Sequence, residues 1–177
     1  MTDSVKYPMA MNGRALNLLG ALVDALHDRM ADEGTQVSGL GASAPAALAT
    51  LRACPGESVE SLSRVLGITN SGAVRLVDRL ASAGLMERRP GRDARSVALH
   101  LTPAGSAVAL QIVSRRREAL RHALAGLRPQ ERAALGTMAE RVLAELSTDR
   151  HSADRICRLC DYVLCPQDRC PVERAVA

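Results

Sequence analysis

Thr69-Asn70-Ser71-Gly72-Ala73-Val74-Arg75-Leu76-Val77-Asp78-Arg79-Leu80 is the stretch on which the fold turns. Ala73, Leu76, Val77 and Leu80 recur at helical spacing and face inward, which leaves Asn70, Ser71, Arg75 and Arg79 outside. Thr69 (or Asn70) is the residue type that caps a helix N-terminus. Just upstream, Ser58 opens a shorter helix whose buried face is Leu62, Val65 and Leu66; Gly67 closes it and Ile68 fills the turn. Downstream come Gly84-Leu85-Met86-Glu87-Arg88-Arg89, a turn at Pro90-Gly91, then Arg92-Asp93-Ala94-Arg95 and a short apolar strand ending in Leu101-Thr102-Pro103-Ala104-Gly105. Helix, turn, basic helix, strand, arginine-bearing turn, strand and new helix predict a mostly α fold with a small β-wing. This winged helix-turn-helix is a device for docking on duplex DNA.

Charge points the same way. The net charge of the 177 residues is +4, and Arg64 to Arg95 carry seven arginines against Asp78, Glu87 and Asp93, again +4. The whole excess therefore falls in the proposed reading segment, the electrostatic footprint of nucleic-acid binding. With no Trp, no Phe and two Tyr, the core must be built from Leu, Val, Ala and Ile. No apolar run is long enough to span a bilayer, and Met1-Thr2-Asp3-Ser4 does not begin a secretory signal, so a cytoplasmic protein is expected.

Around the reading segment the chain is helical. A first helix is expected over about residues 10–33, with Leu16, Leu19, Val23, Leu26 and Met30 at 3-4-3-4 spacing, and Gly34 and the Gly39–Gly41 stretch ending it. A second runs from about Ser43 to Ala53, with Pro45 in its first turn. Two long helices follow the wing. One extends from about Pro103 to Leu127, striped by Leu110, Val113, Leu120, Leu124 and Leu127; the other runs from Pro129 to about Ser147 through Leu135, Met138, Val142 and Leu146. Stripes this narrow suit packing between chains. The expected organisation is a dimerisation helix in 1–42, the winged helix-turn-helix in 43–102, dimerisation helices in 103–148 and a cysteine-rich tail in 149–177.

From about Ala46 to Gly105 the chain resembles the MarR family of bacterial transcription regulators. The matching fragments are Leu62-Ser63-Arg64-Val65-Leu66-Gly67-Ile68-Thr69, Arg75-Leu76-Val77-Asp78-Arg79-Leu80, Ala83-Gly84-Leu85-Met86-Glu87-Arg88, Asp93-Ala94-Arg95 and Leu101-Thr102-Pro103-Ala104-Gly105. The flanking helices extend the likeness to about 10–147. The resemblance implies a triangular homodimer, a repressor whose first and last helices pair and whose two reading heads enter adjacent major grooves of double-stranded DNA. It implies Asn70, Ser71 and Arg75 as major-groove readers, Thr69 as cap and phosphate contact, and Arg92 and Arg95 as wing contacts, Asp93 bracing Arg95. Arg79 joins this DNA-binding set, while Arg79, Arg88 and Arg89 have a structural alternative as partners of Asp78 and Glu87. Half-sites about 34 Å apart, hence a short palindrome, are the expected operator. Many members release DNA on binding a small aromatic ligand; the scarcity of aromatics here gives no basis for assigning an effector.

Cys157, Cys160, Cys165 and Cys170 form C-x2-C-x4-C-x4-C in the last 21 residues, outside the family pattern. Four thiols in 14 residues of a cytoplasmic protein point to metal ligation before structural disulfides. Four thiolates can surround one tetrahedral zinc ion, the first expectation. The spacing equals that of the CCHC zinc knuckle with Cys165 in the His position, although the knuckle's glycines are missing. An iron–sulfur cluster takes the same ligands and is the close rival, with a thiol/disulfide switch third. Arg155, Arg158 and Arg169 favour thiolate in each case. Lone Cys54 reads as a small core residue.

An enzyme is not expected: the chain has no G-x-G-x-x-G, Walker loop, H-E-x-x-H or G-x-S-x-G. The alternative of another class is a protein-interaction or metal-handling module that uses the winged helix only as a scaffold. Arg75 and Arg95 together at reading positions argue against it.

Overall fold

Most helix starts are set by a side chain one residue before them. The computed structural model describes residues 12–91 and 96–177. Its elements are α1 (Gly13–Ser38), α2 (Ala44–Ala53), α3 (Val59–Leu66), α4 (Asn70–Ser82), β1 (Met86–Pro90), β2 (Val97–Leu101), α5 (Pro103–Ala123), α6 (Pro129–Leu146), α7 (Arg150–Cys157) and α8 (Pro171–Ala175), with a 3-10 turn at Gln167–Arg169. The Asn12 carboxamide oxygen accepts from the N–H of Ala15, Ser58 Oγ from Ser61, Thr69 Oγ1 from Gly72 and Thr102 Oγ1 from Gly105. Each bond satisfies one of the N–H groups that a helix start leaves unpaired, and an alanine in its place costs about 1 kcal/mol.

The first helix departs from the expectation. It runs through Gly34 and ends five residues later at Gly39, whose φ of 65° takes the left-handed turn. Gly34 is a packing site instead of a stop: it is the buried residue of α1, and a β-carbon there would lie 3.1 Å from Cβ of Pro45. The helix after the wing stops at Ala123, short of Leu127. Its buried face is Gly105, Ala109, Ile112, Val113 and Ala119, so the leucine stripe is divided between core and surface, with Leu110 exposed.

The wing is an antiparallel hairpin in which Met86 pairs with Leu101 and Pro90 with Val97. The loop before α3 adds one more rung: Gly56 donates to the Leu99 carbonyl at 2.9 Å, and Leu99 donates back to Glu57 at 2.9 Å. One aliphatic core joins α2 (Ala44, Ala47, Leu48, Leu51), α3 (Leu62), α4 (Leu76, Val77, Leu80), the strands (Met86, Leu99) and α5 (Ala109, Ile112). The reading helix is therefore anchored from beneath by three helices and a sheet.

Thr102 ties the wing's end to the helix that follows. Its hydroxyl donates to the Gly84 carbonyl at 2.7 Å, and its N–H donates to the Leu85 carbonyl at 3.1 Å. Gly105, one turn into α5, lies so close that a β-carbon would overlap that same Leu85 carbonyl. Backbone cannot rotate away as a side chain can. Gly105→Ala is expected to destabilise the fold by about 3 kcal/mol, read as a lower midpoint in urea unfolding with an unchanged slope.

The tail has its own small cluster. Ala153, Cys157, Cys170 and Val172 are buried, with Leu143, Ile156, Cys160, Tyr162, Cys165 and Val176 packed around them. Asp149 caps α7, accepting from the Ser152 N–H at 2.7 Å while Ser152 Oγ accepts from the Asp149 N–H. No described helix is long and apolar enough to cross a membrane.

Candidate nucleic-acid interface and cysteine cluster

The turn between α3 and α4 is closed by backbone. Gly67 donates to the Arg64 carbonyl and Ile68 to the Ser63 carbonyl, at 3.2 and 3.1 Å. These bonds end α3 and aim α4, whose Ala73, Leu76, Val77 and Leu80 are buried as the spacing predicts. Thr69, and not Asn70, is the cap, with Ser71 Oγ 3.3 Å from its hydroxyl. Asn70, Ser71, Arg75 and Arg79 are exposed along the opposite face.

The arginines divide into two kinds. Arg88 reaches from β1 to Asp78 of α4, Nη2 to Oδ1 2.6 Å, and Arg89 Nε donates to Glu87 at 2.8 Å. Both pairs are largely exposed, worth well under about 1 kcal/mol each, and they compensate charge more than they add stability. Arg75 and Arg79 enter no ion pair among the described residues. Their guanidinium groups stand one helical turn apart on the outer face of α4, with full charge available to a partner. Arg92, Asp93, Ala94 and Arg95 lie outside the described residues.

One member of this face escaped the sequence reading. Val74 is 40% exposed between Ala73 and Arg75, off the buried stripe. A valine on an otherwise polar face is suited to contact a thymine methyl in a major groove. Its only signal in the sequence is that it breaks the pattern of 73, 76, 77 and 80.

The four tail cysteines come together. Cys157 and Cys170 are buried, and Cys160 and Cys165 pack against them. Cys157 closes α7 and Cys160 follows one turn later, its N–H donating to the Cys157 carbonyl at 2.8 Å. Cys170 comes in from the 3-10 turn ahead of α8. The hydrogen bond from Cys157, with Arg116 nearby, holds the Cys160 thiol down to about 7 against its burial. That same bond, with burial, pushes Cys157 up. Burial and Cys170 raise Cys165 to about 11. Among the described residues no three His, Cys, Asp or Glu side chains are yet arranged around one ion position. Cys54 lies outside this set. It is half-buried beside Tyr162, in a cavity of about 80 Å³ between α2, α3 and the tail.

No protein-family model and no curated protein matches the chain. Solved structures do. A transcriptional regulator of the MarR family from Silicibacter pomeroyi is 29% identical, with a TM-score of 0.58 over 78% of this chain and 94% of that one. MarR from E. coli in its apo form is 23% identical, with a TM-score of 0.59 over 77% and 99%. MepR, described as a transcription regulator of the Staphylococcus aureus multidrug efflux pump MepA, is 18% identical, with a TM-score of 0.64 over 74% and 97%. The fold is that of MarR family regulators. The MarR neighbours are covered almost whole, whereas about a fifth of this chain lies beyond what they share.

Proposed function

We propose that the chain is a sequence-specific DNA-binding transcriptional regulator, a repressor that acts in the cytoplasm as a homodimer on a palindromic operator, and not an enzyme. The observation that carries this reading is the outer face of α4: Asn70, Ser71, Val74, Arg75 and Arg79 exposed, two arginines without an ion-pair partner among the described residues, and a rigid core directly beneath. A helix in a major groove needs those three properties together. Thr69 at the helix start adds a hydroxyl and the N–H groups of the first turn, suited to a phosphate. Repression follows from occupancy, since a dimer seated across a promoter excludes polymerase.

Dimerisation is supported by surfaces that water would not tolerate for long. In α1, Leu16, Leu19 and Val23 are about half exposed, and Gly34 is the one buried residue of the 26. In α6, Met138, Val142 and Leu146 are exposed and no residue is buried. Exposed apolar stripes at helical spacing on the first and last long helices fit a helical interface between two copies.

The direct test is selection of bound sequences from a random duplex pool with the purified chain. The expected result is an enriched inverted repeat with half-site centres one helical turn apart. A pool that stays random, with binding that follows only net charge, would overturn the reading and favour the scaffold module. In the wing, Arg95→Ala is expected to weaken binding to the selected site and to flatten its salt dependence by about one unit of slope, measured by fluorescence anisotropy.

A further inference from the structure

We propose that Cys157, Cys160, Cys165 and Cys170 bind one zinc ion as four thiolates, and that this ion holds the tail as a brace on the turn between α3 and α4. The proposal rests on where the thiols lie and on what the tail touches.

Residues up to 13 positions apart meet in one cluster because Cys157 ends α7 while Cys170 precedes α8, and both are buried. Cys160 and Cys165, the partly exposed members of the cluster, are the two that must turn inward to close it around an ion. Neighbouring ligands of a tetrahedral zinc stand about 3.8 Å apart at Zn–S near 2.3 Å, so a single ion needs its four thiolates drawn closely together. An iron–sulfur cluster must fit between its ligands and would hold them much farther apart. Thiols packed together in one small cluster, with no bulky group between them, therefore favour a single ion. Val172, Ala153, Ile156 and Val176 wall the site with apolar groups, as in a closed structural site.

Charge fits as well. Zinc with four thiolates carries −2, since each thiol gives its proton to solvent; no electron moves and no oxidant is needed. Arg116 lies close enough to Cys160, and Arg150 to Cys157, for each guanidinium to feel the thiolate. The ion also answers a question of size. A tail whose fully packed residues are Ala153, Cys157, Cys170 and Val172 has too little buried surface to hold itself together, which is the usual circumstance of a structural metal.

The brace is visible in the contacts that α7 and the following turn make with the reading head. The Arg155 guanidinium lies over Gly67, at the C-terminal end of α3, where a positive charge suits the helix dipole. Thr50 of α2, itself buried, donates to the Arg158 carbonyl at 3.3 Å. Asp161, between Cys160 and Cys165, lies 3.6 Å from Arg52 of α2 and 3.5 Å from Arg117 of α5. Arg158 and Asp161 lie within 157–170, so ordering that segment anchors α7, and with it Arg155, on the reading head.

The test takes the full chain, purified without oxygen. Metal and acid-labile sulfide are measured, cobalt is exchanged in for spectroscopy, and amide exchange is followed with and without chelator. Expected are one zinc and no sulfide per chain, and with cobalt the strong visible bands of a tetrahedral thiolate site. The double variant Cys160→Ser/Cys165→Ser, altered at the partly exposed members, is expected to lose the ion, while Cys54→Ser keeps it. Chelation is expected to speed exchange at the amides of Gly67 to Gly72 about ten-fold. Iron with sulfide, thiols that are metal-free or disulfide-bonded, or zinc retained by the double variant would each overturn the site. Zinc removal that leaves exchange at Gly67 to Gly72 unchanged would overturn the brace. Neither readout involves DNA, so a chain that holds zinc and selects no operator sinks only the regulator reading.

Discussion

Leu19→Glu/Val23→Glu is expected to leave the fold intact, turn the dimer into a monomer and weaken operator binding by about 10²–10⁴-fold. Both side chains lie on α1 about half exposed, at 49% and 59%, so a single chain has little packing to lose by their replacement. In a pair of chains, the same positions would bring four carboxylates into one apolar helical seam. Desolvating an unpaired charge costs several kcal/mol. The loss of affinity then arises without touching the DNA face. Once one reading head is seated, its tethered partner meets the second half-site at an effective concentration in the millimolar range. A monomer forfeits that advantage and retains only single-site binding. Light scattering after size exclusion gives the mass, circular dichroism checks the fold, and anisotropy on the selected operator gives the affinity. A variant that remains dimeric with unchanged affinity would remove α1 from the interface and leave its apolar stripe unexplained.

What could be read from the chain was what is local. The caps Ser58 and Thr69 lie within three residues of the N–H groups they satisfy, so residue type and position suffice to find them. The buried face of α4 was equally legible, because a 3-4 spacing over one helix needs no knowledge of the partner. Gly34 shows the limit. A glycine ending a helix and a glycine admitting a proline from another helix look the same in sequence, and only the approach of Pro45 separates them. Pairing of Arg88 with Asp78 depends on β1 folding back along α4, ten residues away, and so could be stated only as an alternative to a DNA contact. In the tail, the cysteine pattern drew the reading toward chemistry and away from structure. Asp149 ahead of α7 with Ser152 in its first turn, and Pro171 at the first turn of α8, are ordinary helix starts that the sequence did display. Docking of that tail on the reading head was not legible at all. It depends on Arg155, Arg158 and Asp161, whose partners Gly67, Thr50, Arg52 and Arg117 are distant in the chain.

The division of arginines into paired and unpaired carries the second large effect. Arg75→Ala is expected to cost about 1–3 kcal/mol per half-site on the operator and far less on random duplex, because a bidentate contact to a guanine is lost. With two heads engaged, the loss per dimer is twice that, and preference at the affected position of each half-site should flatten. Arg88→Ala sets the contrast. Its guanidinium is held by Asp78 at 2.6 Å, so its removal deletes a cation and frees an anion on the same face. That change repels all DNA alike: affinity falls uniformly and specificity stays. Arg79 has no ion-pair partner among the described residues and sits one turn beyond Arg75, farther from the start of α4. Its loss is expected to resemble a phosphate contact, a salt slope lower by about one with the selected sequence unchanged. Anisotropy titrations of the three variants at several salt concentrations, on the operator and on a scrambled duplex, separate these outcomes. Equal loss on both duplexes for Arg75→Ala would make that residue a phosphate contact. Base reading would then pass to Asn70, Ser71 and Val74, the remaining exposed groups on the first turns of α4.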